Sequence, residues 1–348
     1  MPPTDAPPSL PRLTAEGARE LDAATIAALV PSLPPDAYKG TRGRVAIVGG
    51  GAGMAGAAIL AARGAHVAGA GMVRADVAPE SQLALQVAVP FATVRVWGRD
   101  GIAGVDALWP HAMVIGPGLD GDDTHLRAAV LALLTVWRGP VVLDAGALTA
   151  FAPPRDDAQA PHDEDIESAA AWPTAGDTRA TQLAALRHAL RGREALLTPH
   201  VGEFAALGGV LDAPDARFTA PRVLAKALGA TVLLKGVPTV IAAPDGTTRV
   251  SATGTPALAM GGSGDLLAGI AGALLAQGLS AADAGAVAAW THGTAAERAT
   301  AQHGGWRGVT MERLIDELAR VWPTLTADQR DCPTASPSLL DLPAVSSR

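Results

Sequence analysis

The chain reads as an α/β protein, a mostly parallel, doubly wound sheet with helices on both faces. Three observations predict this. Short apolar runs of strand length alternate with helix-length segments along most of the sequence. Glycines and polar residues gather just after those runs, at Gly49, Gly116, Asp144, Thr198 and Lys235, and the carboxyl edge of such a sheet is where ligands bind. Hydrophobic residues make up 49% of the 348 residues but aromatics only 3%, so the core relies on small side chains and close helix–sheet packing.

Taken in order, Arg44–Val48 is a buried parallel strand that stops at glycines, and residues 54–63 form the following helix. Residues 72–74 and Ala112–Ile115 are the next strands, the latter ending at Gly116-Pro117-Gly118. An amphipathic helix over 122–138 leads to a strand at 140–143 ending at Asp144. Strands follow at 194–197, ending at Thr198-Pro199-His200, and at Thr231–Leu234, ending at Lys235-Gly236. Residues 239–243 and 248–252 flank Pro244-Asp245-Gly246 as a hairpin. Helices over 263–277, 281–300 and 310–321 close a single domain spanning 12–325. Three segments are peripheral: a disordered leader at 1–11, an exposed Pro- and acid-rich insertion at 153–181, and a flexible tail at 326–348.

The formal net charge of -7, with no basic stripe, argues against a nucleic-acid or anionic-membrane partner. Cys332, the one cysteine, can build neither an internal disulfide nor a cysteine-based metal site, and a reducing cytoplasm is the natural compartment. The N-terminus lacks the pattern of a secretory signal, and no apolar stretch reaches membrane-spanning length.

Two glycine loops compete for the phosphate chemistry. Gly51-Ala52-Gly53-Met54-Ala55-Gly56 matches the dinucleotide fingerprint after a strand and before a helix, with Asp76 available for a ribose, and is equally a tight packing turn. Gly261-Gly262-Ser263-Gly264-Asp265 opens an apolar helix, where free amides and the helix dipole favour an anion. Asp265 in the first turn fits plain capping, or a base that takes a proton from a hydroxyl attacking phosphorus. The loop lacks the Gly-Lys-Ser/Thr of a P-loop.

With its neighbours, this second loop is similar to the ribokinase-like small-molecule kinases. Other segments resemble one branch, the ADP/ATP-dependent NAD(P)H-hydrate dehydratases. These are Tyr38-Lys39-Gly40 with Gly43-Arg44-Val45, Met54-Ala55-Gly56-Ala57, Gly69-Ala70-Gly71-Met72-Val73-Arg74, and Val114-Ile115-Gly116-Pro117-Gly118. Leu143-Asp144-Ala145, Leu197-Thr198-Pro199-His200-Val201-Gly202-Glu203, Leu234-Lys235-Gly236-Val237-Pro238-Thr239 and Gly254-Thr255-Pro256-Ala257 complete the set. The resemblance spans roughly 39–321 and makes the first glycine loop a substrate-side turn.

The resemblance implies a lyase that returns hydrated NADH or NADPH to NAD(P)H. The hydrate hydroxyl is phosphorylated by ADP, or less readily ATP, with Mg²⁺, and phosphate is then eliminated. It implies Asp265 as catalytic base and substrate contact, with Ala57, Gly118 and His200 also against the substrate. Lys235, Gly236, Val237, Pro238, Thr239 and Gly264 would hold the nucleotide, and Gly262, Ser263 and Gly264 would form the anion hole. Asp144 belongs near phosphates or metal. Glu203 is either a capping acid or, like Asp144, a water-mediated Mg²⁺ contact. His292 reads as structural packing in mid-helix. The resemblance also implies a homo-oligomer, a tetramer by family habit. Asp120, Gly146 and Thr255 depart from the family pattern, which usually has Gly, Asp and Asn there. A ribokinase-like vitamin or sugar kinase and a Rossmann-type NAD-dependent oxidoreductase are the alternative readings.

Overall fold

The computed structural model describes residues 17–33, 36–152, 178–213 and 215–326. The expected leader, most of the insertion, the tail beyond Thr326 and Cys332 lie outside the described residues. The elements run β1 (Ala18–Glu20), α1 (Ala23–Leu29), β2 (Arg44–Val48), α2 (Ala55–Val67), β3 (Met72–Val77), α3 (Gln82–Ala88), β4 (Thr93–Val96) and β5 (Ala112–Ile115). Next come α4 (Leu126–Val136), β6 (Val141–Leu143), α5 (Gly146–Thr149), α6 (Thr178–Leu190), β7 (Ala195–Leu197), α7 (Val201–Ala206), α8 (Ala216–Leu228) and β8 (Thr231–Leu234). The hairpin β9 (Thr239–Ala242) and β10 (Thr248–Ser251) and the helices α9 (Ser263–Ala276), α10 (Ala281–His303) and α11 (Met311–Leu325) follow.

One sheet holds all the strands in the order β1-β10-β9-β8-β7-β6-β5-β2-β3-β4. From β4 to β8 every pairing is parallel. The hairpin adds antiparallel strands beyond β8, and β1 joins its outer edge in parallel. Side chains alternate across β2: Val45 and Ile47 join the core under α2, α9, α10 and α11, while Ala46 and Val48 join the core under α4, α6 and α8. Apolar residues on both faces are what a sheet covered on both sides requires.

Several boundaries differ from those the sequence predicts, each for a local reason. The strand expected at 72–74 runs on to Val77, because buried Arg74 and Asp76 neutralise each other within it at 2.7 Å. Asp106 (3.2 Å) and the Trp109 ring (4.9 Å) complete the Arg74 site. Asp76 is thereby occupied and is no ribose contact. The helix expected from 122 begins at Leu126: Asp120 and Asp123 accept from the amides of Asp122 and His125, closing turns that compete with helix. Residues 178–181, assigned above to the insertion, start α6, whose Leu183, Leu186 and Leu190 are buried on one face. The sequence reading missed α1, α3, α5, α6, α8, β1 and β4 altogether.

The packing that positions the site is between α2 and α9. A β-carbon on Gly64 would lie 2.2 Å from the Leu266 carbonyl oxygen, and one on Gly269 only 2.0 Å from that of Ala61. Below them, one on Gly272 would meet Val114 Cγ2 of β5 at 2.3 Å. The two helices therefore touch backbone to backbone, with α9 seated directly on the sheet. Gly269→Val should lower unfolding stability by about 1–3 kcal/mol or more through overpacking, read from urea denaturation, and should cost activity by displacing the N-terminus of α9.

Candidate active site

The parallel strands end on one edge, and the residue after each carries a functional group or a turn. Backbone bonds continue the ladder past the strand ends: Asp144 N–H donates to the Ile115 carbonyl at 3.1 Å, Thr198 to Leu143 at 3.1 Å and Lys235 to Pro199 at 2.8 Å. Asp144, His200 and Lys235 are thus brought to the same side, facing the first turn of α9. Between them lies a cavity of about 600 Å³, also bordered by Gly262, Ser263, Gly264 and Asp265.

Gly262 precedes α9 in the left-handed region (φ 90°), and a β-carbon there would strike Leu60 Cδ1 at 2.1 Å. Among the described residues no side chain caps this helix start; the Ser263 amide donates to the Met260 carbonyl at 3.3 Å, which leaves the Gly262 and Gly264 amides as the candidates for an anion. On the opposite wall, Lys235 Nζ reaches Asp144 Oδ1 at 2.8 Å and Glu203 Oε2 at 3.5 Å. It also lies 3.2 Å from where a β-carbon on Gly264 would sit. One ammonium therefore serves several carboxylates at the mouth of the anion site.

The charge balance follows. Burial pushes the Asp265 carboxyl up to about 7, the neighbouring Asp144 and Glu203 push in the same direction, and Lys235 pulls against them. For Lys235, burial favours the neutral amine, but the two carboxylates outweigh it and hold the ammonium above the ordinary lysine range.

His200 caps α7. Its Nδ1 accepts from the amides of Gly202 (2.9 Å) and Glu203 (3.3 Å), so in the neutral ring the proton sits on Nε2. Glu203 completes a capping box by accepting from His200 N–H at 2.8 Å. The capping reading of Glu203 is what the geometry displays, with Lys235 as its second partner.

The 235–239 segment is braced by Arg217, which sequence reasoning missed. Its Nε donates to the Pro238 carbonyl at 2.8 Å and its Nη2 to the Lys235 carbonyl at 3.0 Å. Lys235, Gly236, Val237 and Thr239 border the cavity, whereas Pro238 contributes the braced carbonyl. Arg217 lies in α8, an element the apolar pattern did not reveal, so no spacing signal pointed to it.

Ala57 and Gly118 are brought together at the neighbouring strand ends: a β-carbon on Gly118 would lie 3.1 Å from that of Ala57 and 2.6 Å from the Met54 carbonyl. Neither lines the cavity. Here Gly50 and Gly51 donate their amides to the carbonyls of Pro117 (2.8 Å) and Gly118 (2.7 Å). A dinucleotide-binding loop needs its amides for pyrophosphate, so the fingerprint here is a loop-to-loop clasp. The Tyr38-Lys39-Gly40 stretch sits at the opposite, amino edge of the sheet, where a β-carbon on Gly71 would strike the Lys39 carbonyl. Asp120 braces its own turn, away from the cavity lining. Gly146 is required by closeness, since a β-carbon there would lie 2.2 Å from the Leu119 carbonyl. Thr255 caps the short turn at Pro256–Leu258 and hydrogen-bonds Thr300 at 2.9 Å. His292 is buried as expected, yet it also borders the cavity, which the packing reading did not anticipate.

Known proteins resemble this chain over most of its length. The family model of NAD(P)H-hydrate dehydratases (Carb_kinase) matches residues 45–166 and 177–320. The ADP-dependent (S)-NAD(P)H-hydrate dehydratase of Neisseria meningitidis is 36% identical over 75% of this chain and 79% of its own length. The bifunctional NAD(P)H-hydrate repair enzyme of Salinibacter ruber is 36% identical over 87% of this chain. The chain spans about half the length of such bifunctional relatives, 52% in that case. The crystal structure of the ADP/ATP-dependent NAD(P)H-hydrate dehydratase from Bacillus subtilis, co-crystallised with ATP/Mg²⁺, superposes with a TM-score of 0.72 at 29% identity. That match covers 89% of this chain and 100% of that one. A ribokinase-like superfamily protein from Enterococcus faecalis shares the fold, with a TM-score of 0.65 at 21% identity, 91% of this chain and 98% of that one being covered. The chain belongs to the NAD(P)H-hydrate dehydratase family.

Proposed function

We propose that the chain restores NAD(P)H from its hydrate at the expense of a nucleotide, ADP in preference to ATP. The observation that carries this reading is Asp265, a half-buried carboxylate with its proton affinity raised to the neutral range, placed in the first turn of an uncapped helix that faces a nucleotide-sized cavity. The carboxylate takes the proton of the hydrate hydroxyl as its oxygen bonds to the terminal phosphorus and the nucleotide leaves. The Gly262 and Gly264 amides hold the transferring group, while the Ser263 amide, expected to join them, is taken by the Met260 carbonyl. Elimination then breaks the carbon–oxygen bond: phosphate departs with the electron pair, the ring nitrogen assists, and the adjacent carbon gives its proton to the departed phosphate as the double bond is restored. Lys235, held by Asp144 and Glu203, offsets phosphate charge, and the 235–239 segment receives the nucleotide. Ala57, Gly118 and His200 are read as the substrate side.

The residues also fit Mg²⁺. Asp144, Glu203 and Asp265 share one ammonium, which leaves uncompensated negative charge for a further cation. Among the described residues no group of His, Cys, Asp and Glu forms an all-protein metal cage. A hydrated Mg²⁺ carried with the phosphates and held through water by Asp144 or Glu203 is the arrangement this donor set suits, and it would neutralise charge on the transferring group. The same reading includes a cytoplasmic homo-oligomer, a tetramer by family habit. Among the described residues no helix is long and apolar enough to cross a membrane. Leu83 and Val87, exposed on α3 beside the edge strand β4, offer an apolar surface for self-association that light scattering would test.

Asp265→Asn should lower nucleotide-dependent recovery of NADH absorbance from the hydrate by roughly 10²–10⁴-fold while ADP still raises the melting temperature. Unchanged turnover in that variant would overturn the mechanism, and a stable phosphorylated product from the wild type would favour the kinase reading. In wild type, kcat/KM should fall as pH drops through about 7, the Asp265 value. Lys235→Met removes the cation that favours the carboxylate and should move this acid limb to higher pH. The raised pKa also sets a sign for stability. The carboxyl is protonated in both folded and unfolded chains below its ordinary 3.8, and it destabilises the fold as pH rises from there through about 7. Asp265→Asn should therefore melt above wild type at pH 8, with the gap shrinking toward pH 5.

A further inference from the structure

His292 and Ser263 form a buried pair that the proposed chemistry has not yet used. His292 lies in α10 and Ser263 is the first residue of α9; each is only 5% exposed, and both border the cavity. His292 Nε2 is 3.3 Å from Ser263 Oγ. Around it in α10, Ala289 and Gly293 also border the cavity, Trp290 is buried in the core under α9, α10 and α11, and the Thr291 hydroxyl is engaged with the Val287 and Ala288 carbonyls. Within this stretch the imidazole is the polar group that both borders the cavity and meets the start of α9.

We infer that His292 is a positioning residue for phosphoryl transfer, fixing the Ser263 hydroxyl so that it donates a hydrogen bond to the transferring group. The inference rests on the proposed reaction. Burial, reinforced by the nearby Lys235 charge, pushes the His292 ring down to about 4, so it is neutral at physiological pH and carries a single N–H. If that proton is on Nε2, the ring donates to Ser263 Oγ and leaves the hydroxyl proton free to point at an anion. If it is on Nδ1, Nε2 accepts the hydroxyl proton and turns it away from the cavity. A phosphoryl oxygen, which offers only acceptors, selects the first arrangement. The helix amides then gain a side-chain donor at the same point, without another formal charge beside Lys235.

The test is steady-state kinetics of hydrate restoration with ADP for Ser263→Ala, His292→Leu, His292→Gln and the Ser263→Ala/His292→Leu double variant. A glutamine amide nitrogen can occupy the place of Nε2. Ser263→Ala should lower kcat about a hundred-fold with KM for ADP little changed. His292→Leu should do the same, His292→Gln should recover most of the loss, and the double variant should be no worse than either single one. Additive losses, a glutamine variant no better than leucine, or a rise in KM at constant kcat would overturn the inference. Should His292→Leu not fold, Ser263→Ala and His292→Gln decide it, since full kcat in Ser263→Ala overturns it alone. A wild-type protein that restores no hydrate with any nucleotide overturns the underlying reaction instead, so the two failures are distinguishable.

Discussion

The site depends on the backbone contact between α2 and α9. Gly64 faces the Leu266 carbonyl and Gly269 faces that of Ala61, at separations that exclude even a methyl group. With Gly272 pressed on Val114, the contact fixes both the height of α9 above the sheet and its rotation. Asp265 and the open amides sit at the end of that helix. Their distance from Lys235 and Asp144, which come from the strand ends, is therefore set by glycine-mediated packing that runs along α9 from Leu266 to Gly272.

Against this geometry works an electrostatic conflict. Asp144, Glu203 and Asp265 crowd one lysine, and burial first, then its two acidic neighbours, raise the proton affinity of Asp265. A core designed only for stability would avoid such a cluster. Here the same burial and repulsion that weaken the fold give a carboxylate suited to accept a proton near neutral pH. The capping box of His200 and Glu203 holds the far side of the lysine, so local helix chemistry and site chemistry share atoms.

The strand ends were legible because buried parallel strands are continuous apolar runs that stop abruptly; β2, β5 and β8 fall where those runs predict them. The start of α9 was legible because its glycine loop runs directly into an apolar helix. What escaped was whatever depends on contacts distant in sequence. Polar Arg74 and Asp76 hid the end of β3, since their mutual neutralisation and Asp106 cannot be read from a local window. Arg217 reaches the 235–239 loop from α8, whose apolar pattern is broken by Arg222 and Lys226. Ser263 and His292 meet across 29 residues of sequence. The 51–56 loop shows the converse: a pattern complete in sequence, whose neighbouring amides are engaged by a segment some 65 residues away, as roughly the gap between Gly51 and Gly118 allows.

The small residues between α2 and α9 have a thermal consequence. Glycine and alanine have no side-chain rotamers to immobilise, so this contact forms with almost no loss of side-chain conformational entropy. Heating increases the weight of every frozen rotamer, and it acts more on faces built from long side chains, such as the outer surface of α8 with Arg222 and Lys226, than on this one. The entropy cost of the joint that carries Asp265 lies in the backbone instead, since glycine gives up more conformational freedom on folding than any other residue.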